Sequence, residues 1–166
     1  MHLFEPSKDF QLDKKTFINL RWITLFGQLF AIIFVKFILE FNFSSYVYCL
    51  LIVGFGILTN LYLQFNIQKN QLNNFLSTIY LSYDIIQLGC LLSLTGGITN
   101  PFVFLIVIPS IFSSKYLNLT SAVALVILTI LLLCFNSYLY LELPHPHESH
   151  FHVPNYYLFG IPIAVA

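Results

Sequence analysis

Apolar residues run in long blocks along this chain, and polar residues gather between the blocks. The apolar stretches cover about residues 17–39, 46–64, 75–95, 101–114 and 119–141, and another begins at Leu158. The first is about 23 residues, or about 34 Å of helix, enough to cross a hydrocarbon core of about 30 Å. The pattern predicts an all-α integral membrane protein: a bundle of five transmembrane helices plus the start of a sixth. Residues 1–16 form a polar tail, and residues 17–166 form one transmembrane domain. From Leu158 to Ala166 there is room for only about 13 Å of helix. An unsatisfied backbone end does not sit in lipid, so the expectation is a truncated chain whose sixth span is incomplete.

Composition agrees with the pattern. Only 8% of residues are charged and 58% are apolar, whereas a soluble domain carries about 25% charged residues. The formal net charge is zero and the basic residues are scattered, which argues against a nucleic-acid partner. Cys49, Cys90 and Cys134 lie inside apolar runs and read as small hydrophobes in helices. No cleavable signal peptide is visible, because the first apolar run continues to spanning length. Alternating the spans puts Lys8, Lys14, Lys15, Arg21, Lys69 and Lys115 on one side, with only Lys36 near the other. The excess of Lys and Arg on cytoplasmic loops predicts a multi-pass protein of the bacterial inner membrane with a cytoplasmic N-terminus. Arg21 and Lys36, near opposite ends of the first span, are expected to snorkel to the interfaces.

One stretch breaks the apolar rhythm. Residues 96–102 read Gly-Gly-Ile-Thr-Asn-Pro-Phe. Paired glycines end a helix and let the backbone turn, and Asn before Pro is a helix-start signal. The stretch predicts a stop, a turn and a restart at Pro101. The segment after it is about 14 residues, or about 21 Å, short for a full crossing. That favours a turn dipping into the outer leaflet, where irregular backbone is tolerated if protein covers it. Pro109 predicts a kink. A helix start beside Asn100, Phe102 and Phe104 suits a flat, lipid-soluble molecule with carbonyl oxygens, such as a quinone. By residue chemistry alone, the stronger reading is a packing turn with an Asn-Pro helix start.

The sequence Leu-Thr-Gly-Gly-Ile-Thr-Asn-Pro-Phe, followed by Pro109 and by Ser113-Ser114, resembles the membrane domain of RegB/PrrB-type redox-responsive sensor histidine kinases. That family carries a Gly-Gly-x-x-Asn-Pro-Phe heptapeptide between its third and fourth of six spans. Arg21-Trp22 with Gly27-Gln28, and the Leu-Pro-His-Pro-His stretch, resemble it as well. The resemblance implies a membrane sensor domain of a two-component system that binds ubiquinone at Gly96, Gly97, Asn100, Pro101 and Phe102. It implies that oxidised quinone lowers kinase activity, that phosphotransfer goes to a response regulator, and that the protein works as a homodimer. ATP, the phospho-accepting His and a redox-active Cys belong to a cytoplasmic kinase part that this sequence does not show.

Two other groups carry chemistry. Asp84 is an acidic residue deep in the third span, with Tyr80 and Gln87 on the same face. Such carboxylates are costly in lipid and are usually functional or paired. The three read either as a polar relay, handling protons or transmitting state, or as a protonated Asp bonded to Tyr80 or to another helix. His145, His147, His150 and His152 share one loop with Glu142 and Glu148. They are weak candidates for a Cu²⁺ or Zn²⁺ site, and their spacing equally fits a solvated loop. Two other function classes therefore stand beside the sensor: a small transporter lined by Asp84 and Arg21, and a periplasm-facing metal-binding membrane protein.

Overall fold

The structure, a computed structural model, describes residues 12–38, 44–66 and 71–141. Helix α1 (Lys14–Ile33) continues as a π-helical turn through Phe34–Ile38, followed by α2 (Tyr46–Asn66) and α3 (Asn74–Leu94). After the Gly-Gly turn come a 3₁₀ stretch at Val103–Val107, α4 (Ile108–Tyr116) and α5 (Leu119–Tyr138). Four of these helices are long and apolar enough to cross a membrane, and the Val103–Tyr116 segment is shorter. The start of a sixth helix, expected at Leu158, lies outside the described residues, as do the four candidate histidines and most of the polar tail.

The first span begins at Lys14 rather than Phe17 because Asp13 caps it. The Asp13 carboxylate accepts from the Thr16 N–H at 3.0 Å and from its hydroxyl at 2.9 Å. The sequence does not signal the short antiparallel ladder that joins β1 (Leu12–Asp13) to β2 (Gln71–Leu72). This ladder ties the start of α1 to the start of α3. At the same end, Lys14 Nζ donates to the Gln64 carbonyl, and Asn74 Oδ1 accepts from the Asn118 N–H. Lys14, Lys15 and Lys115 therefore share one end of the bundle, and the Gly-Gly turn lies at the other.

The two hydrogen bonds from Thr16 hold the Asp13 carboxyl below its ordinary value. A depressed folded value adds stability above the unfolded pKa of about 3.9, and that stability is lost as pH falls through the folded value. The thermal midpoint should thus fall on acidification below about pH 4, and the drop should be smaller in Asp13→Asn. An equal drop in both would remove Asp13 from the account.

Helix α3 is central and packs against α2, α4 and α5, while α1 packs on α2. One buried cluster joins Phe17, Leu63, Leu81, Ile85, Ile106, Leu125 and Leu133 across the bundle. A smaller one, Leu25, Ile32, Cys49, Val53 and Leu91, seals α1, α2 and α3 toward the turn end. Large apolar side chains also cover the outside: Phe26, Phe30, Leu51, Phe55, Leu58 and Leu131 are all exposed. An apolar surface this continuous would aggregate in water; it suits acyl chains. Since lipid supplies no hydrophobic drive between helices, the helices rely on close packing and polar contacts. Gly56 shows the packing: a Cβ there would stand 2.6 Å from both Leu25 Cδ2 and Gln87 Oε1. At Gly27 and Gly54, by contrast, no atom of the described residues outside the local helix backbone lies within 4 Å of that position.

Candidate functional site

The turn and a polar ladder are the two places where chemistry-bearing side chains converge. In the turn, α3 ends at Leu94. Gly96 and Gly97 take the left-handed backbone with φ of 109° and 57°, which a side chain would strain. A single 3₁₀ turn, Gly97–Thr99, follows. Asn100 then closes the loop from inside. Its Nδ2 donates to Thr95 O at 2.9 Å and Thr95 Oγ1 at 2.7 Å, and its Oδ1 accepts from Phe102 N–H at 2.8 Å. The expected Asn-Pro helix start is present, but the restart is 3₁₀ through Val107 and becomes α only at Ile108.

This corrects the expected α-helix from Pro101, and it also accounts for Pro109. The ring sits in the first turn of α4, where no N–H is needed, so it starts a helix rather than kinking one. A five-residue 3₁₀ stretch and a nine-residue α-helix together reach about 24 Å, still below a full core.

Gly96, Gly97, Ile98 and Asn100 are buried, whereas Pro101 and Phe102 stand out from the surface. Phe102 is 48% exposed, and Phe104 beside it is 59% exposed. The floor under the turn is the end of α5. Ser93 Oγ donates to Asn136 Oδ1 at 2.9 Å, and Leu141 N–H donates to Ser93 O at 2.7 Å. Chain composition did not reveal Thr95, Ser93 or Asn136 as partners of the turn, since each is an ordinary polar residue inside an apolar run.

The ladder joins α1, α2 and α3. Asp84 meets Arg21: Nε–H and Nη2–H both reach Oδ1, at 3.0 and 2.9 Å. Nη2–H also donates to Thr59 Oγ1 at 3.1 Å, and Thr59 donates to Gly56 O at 2.8 Å. The rings of Phe17, Tyr80 and Tyr83 stand 5.9, 5.1 and 5.7 Å from the guanidinium carbon, within cation–π range. Further along, Gln87 Nε2–H donates to Gln28 Oε1 at 2.8 Å.

Asp84, Tyr80 and Gln87 thus share a face, as expected, and what each meets lies on α1. The expectation that Arg21 snorkels to an interface is overturned: its side chain is 3% exposed and ion-paired. Depth explains this. Arg21 lies seven residues past the start of α1 and Asp84 ten past the start of α3, about 10 and 15 Å from the same end. A long Arg side chain covers that difference. The signal was available in sequence: two opposite intramembrane charges at similar depth on spans that run the same way.

Two buried polar atoms in the ladder, Arg21 Nη1 and Gln87 Oε1, have no hydrogen-bond partner among the described residues. Among the described residues, no group of three or more His, Cys, Asp or Glu side chains is placed to hold a metal ion. Cys49 is buried, Cys90 and Cys134 are exposed, and all three are free thiols.

No family model matches the chain, and no solved structure matches it. Among curated proteins, it is similar to a protein described as sensor histidine kinase RegB from Cereibacter sphaeroides. The two are 35% identical over 152 residues, which is 91% of this chain and 33% of that protein. The chain thus spans about a third of the length of the curated relative it matches.

Proposed function

Because the chain belongs, over these 152 residues, to the family of RegB-type sensor histidine kinases, we propose that it is the membrane sensor domain of such a kinase and that its Gly96–Phe102 turn receives the head group of ubiquinone. The observation that carries this reading is the division of labour in the turn. Asn100 spends its amide on Thr95 and its oxygen on Phe102. Its part is therefore to hold Phe102 outward, and the exposed rings of Phe102 and Phe104 offer the flat surface on which a quinone ring stacks. The short segment that follows draws the turn below the membrane surface, where a lipid-soluble ligand arrives through the bilayer.

In this reading the end bearing Lys14, Lys15 and Lys115 is cytoplasmic, by the positive-inside rule, and the turn faces the outer leaflet of the inner membrane. Ligand occupancy acts on α3, which carries Asp84 and runs directly into the turn. The signal passes to an ATP-dependent kinase part, working as a homodimer, and from there to a response regulator.

The test is photo-crosslinking of the purified chain in lipid nanodiscs with an azido-ubiquinone, with peptides mapped by mass spectrometry. Label should fall within residues 100–104. Phe102→Ala and Asn100→Ala should each weaken apparent affinity about tenfold, or about 1.4 kcal/mol. If both variants bind as the unaltered chain does, the reading fails.

A further inference from the structure

Side chains join α1 to α3 along the ladder. The Phe17 and Tyr80 rings meet edge to face at 6.3 Å, Arg21 meets Asp84, and Gln28 meets Gln87. The ion pair in the middle is lopsided. A paired arginine fork commonly gives one N–H to each carboxylate oxygen. Here Nε–H and Nη2–H both go to Oδ1, and among the described residues no donor reaches Oδ2. Nor is Oδ2 sealed in the core: Asp84 is 22% exposed, against 3% for Arg21. A half-paired carboxylate at this depth is costly, because lipid offers it neither water nor a donor.

Arg21 is equipped for either charge state of its partner. A guanidinium does not give up its proton. The rings of Phe17, Tyr80 and Tyr83 surround it, and Thr59 Oγ1 accepts from Nη2. None of these contacts depends on a charge at Asp84. Nη1 has no oxygen partner among the described residues, so the rings already carry part of the cation's charge. The groups that face Asp84 are Arg21 from α1, Thr59 from α2, and Tyr80 and Tyr83 on its own helix, with Tyr62 of α2 near Tyr80. Helix α5 carries no charged residue, and α4 carries only Lys115, at the lysine-bearing end. A metal ion does not suit the place. Among the described residues no group of three or more His, Cys, Asp or Glu side chains is gathered there, and the guanidinium repels a cation.

From this asymmetry we propose that Asp84 Oδ2 is a proton-binding site within the membrane, loaded and emptied while Arg21 stays bonded to Oδ1. The step takes one proton from water, forms the Oδ2–H bond and moves no electrons. Oδ1 becomes a carbonyl oxygen and still accepts both N–H groups. The loaded ladder carries one positive charge, held by the rings and Thr59, in place of an ion pair. The site is separate from the turn and needs no quinone.

The sequence makes a selective test possible, because it has one arginine, Arg21, and three aspartates, Asp9, Asp13 and Asp84. The whole chain, with nitrogen-15 arginine and carbon-13 aspartate, is placed in phosphatidylcholine vesicles for solid-state NMR. Dephasing of carboxyl carbons by the Arg21 nitrogens picks out Asp84. On acidification from neutral pH, that resonance should move fully and reversibly from the carboxylate to the acid position. The dephasing should survive, and Cys49, fully buried, should stay unreactive to N-ethylmaleimide. Asp84→Asn, an uncharged side chain of the same shape, should hold the Arg21 nitrogen spectrum in its acid form at every pH. Tyr80→Leu/Tyr83→Leu should lose the dephasing on acidification but keep it at neutral pH, and Phe102→Ala should change nothing. A resonance that stays carboxylate down to the pH at which Cys49 begins to react would overturn the proposal, as would one that is in the acid form throughout. Loss of dephasing on protonation of the unaltered chain would also overturn it, since the proton would then break the pair. Dephasing that survives acidification without the two tyrosine rings would overturn their part in holding the cation.

Discussion

Asp84→Ala is expected to destabilise the bundle by about 3 kcal/mol, the low end of the cost of breaking a buried pair. Neutral hydrogen bonds between membrane helices average only about 0.6 kcal/mol, because the unfolded helices find other partners in the bilayer. The larger figure follows from charge. Removing Asp84 leaves a guanidinium that is 3% exposed with Thr59 and three aromatic rings, but no anion. Arg21→Met alone strands a carboxylate that is 22% exposed, so it should cost somewhat less. The double variant Arg21→Met/Asp84→Leu removes both charges and should recover at least about 1 kcal/mol of the Asp84→Ala loss. Unfolding is read from alkylation of Cys49, which is fully buried, in a background with Ser at positions 90 and 134. A loss below about 0.5 kcal/mol in Asp84→Ala, or a double variant weaker than both single ones, would show that the pair is not what ties α1 to α3.

The same pair shows what was and was not legible in the chain. Hydropathy locates the long spans because each needs about 20 apolar residues whatever its neighbours are. It also locates the turn, because glycines and Asn-Pro act within a few residues. The opposite charges of Arg21 and Asp84 at similar depth are in the sequence, but whether Arg21 snorkels or pairs also depends on which helices stand side by side, and a linear pattern does not contain that. The ladder between β1 and β2 escaped for the same reason: two residues on each side carry no alternating pattern, and only the closeness of the α1 and α3 starts brings them together. The 3₁₀ stretch from Val103 was hidden because its residues, Val-Phe-Leu-Ile-Val, are ordinary for an apolar helix. Four of them are β-branched or aromatic and weak helix formers, and a start held by Asn100 suits the tighter winding. The role of Asn100 shifted too. Its residue type suggested an amide offered to a ligand, and the geometry shows an amide used to shape the surface that a ligand would meet.

The second large effect concerns that shape. Gly97→Ala is expected to destabilise the protein by about 3 kcal/mol and to abolish cross-linking of a quinone at residues 100–104. Gly97 has φ of +57°, a conformation that costs an L-residue about 1–2 kcal/mol. Space adds to the cost: a Cβ would stand 2.5 Å from the Asn136 carbonyl oxygen and 2.7 Å from Tyr140 Cβ. The first is backbone, fixed by the end of α5, so the turn has to lift off its floor, and Asn100 and Phe102 lift with it. Gly27→Ala is the matched control, helical and with no atom of the described residues outside the local helix backbone within 4 Å of the added carbon. Trading Gly for Ala inside a helix should raise stability by about 0.5–1 kcal/mol. The Cys49 alkylation assay compares the two on one scale. If Gly97→Ala unfolds within about 0.5 kcal/mol of the unaltered chain, the turn is not seated on α5. If it is destabilised as expected yet still cross-links at residues 100–104, the exposed rings bind without the turn, and the architecture that presents them is not what confers binding.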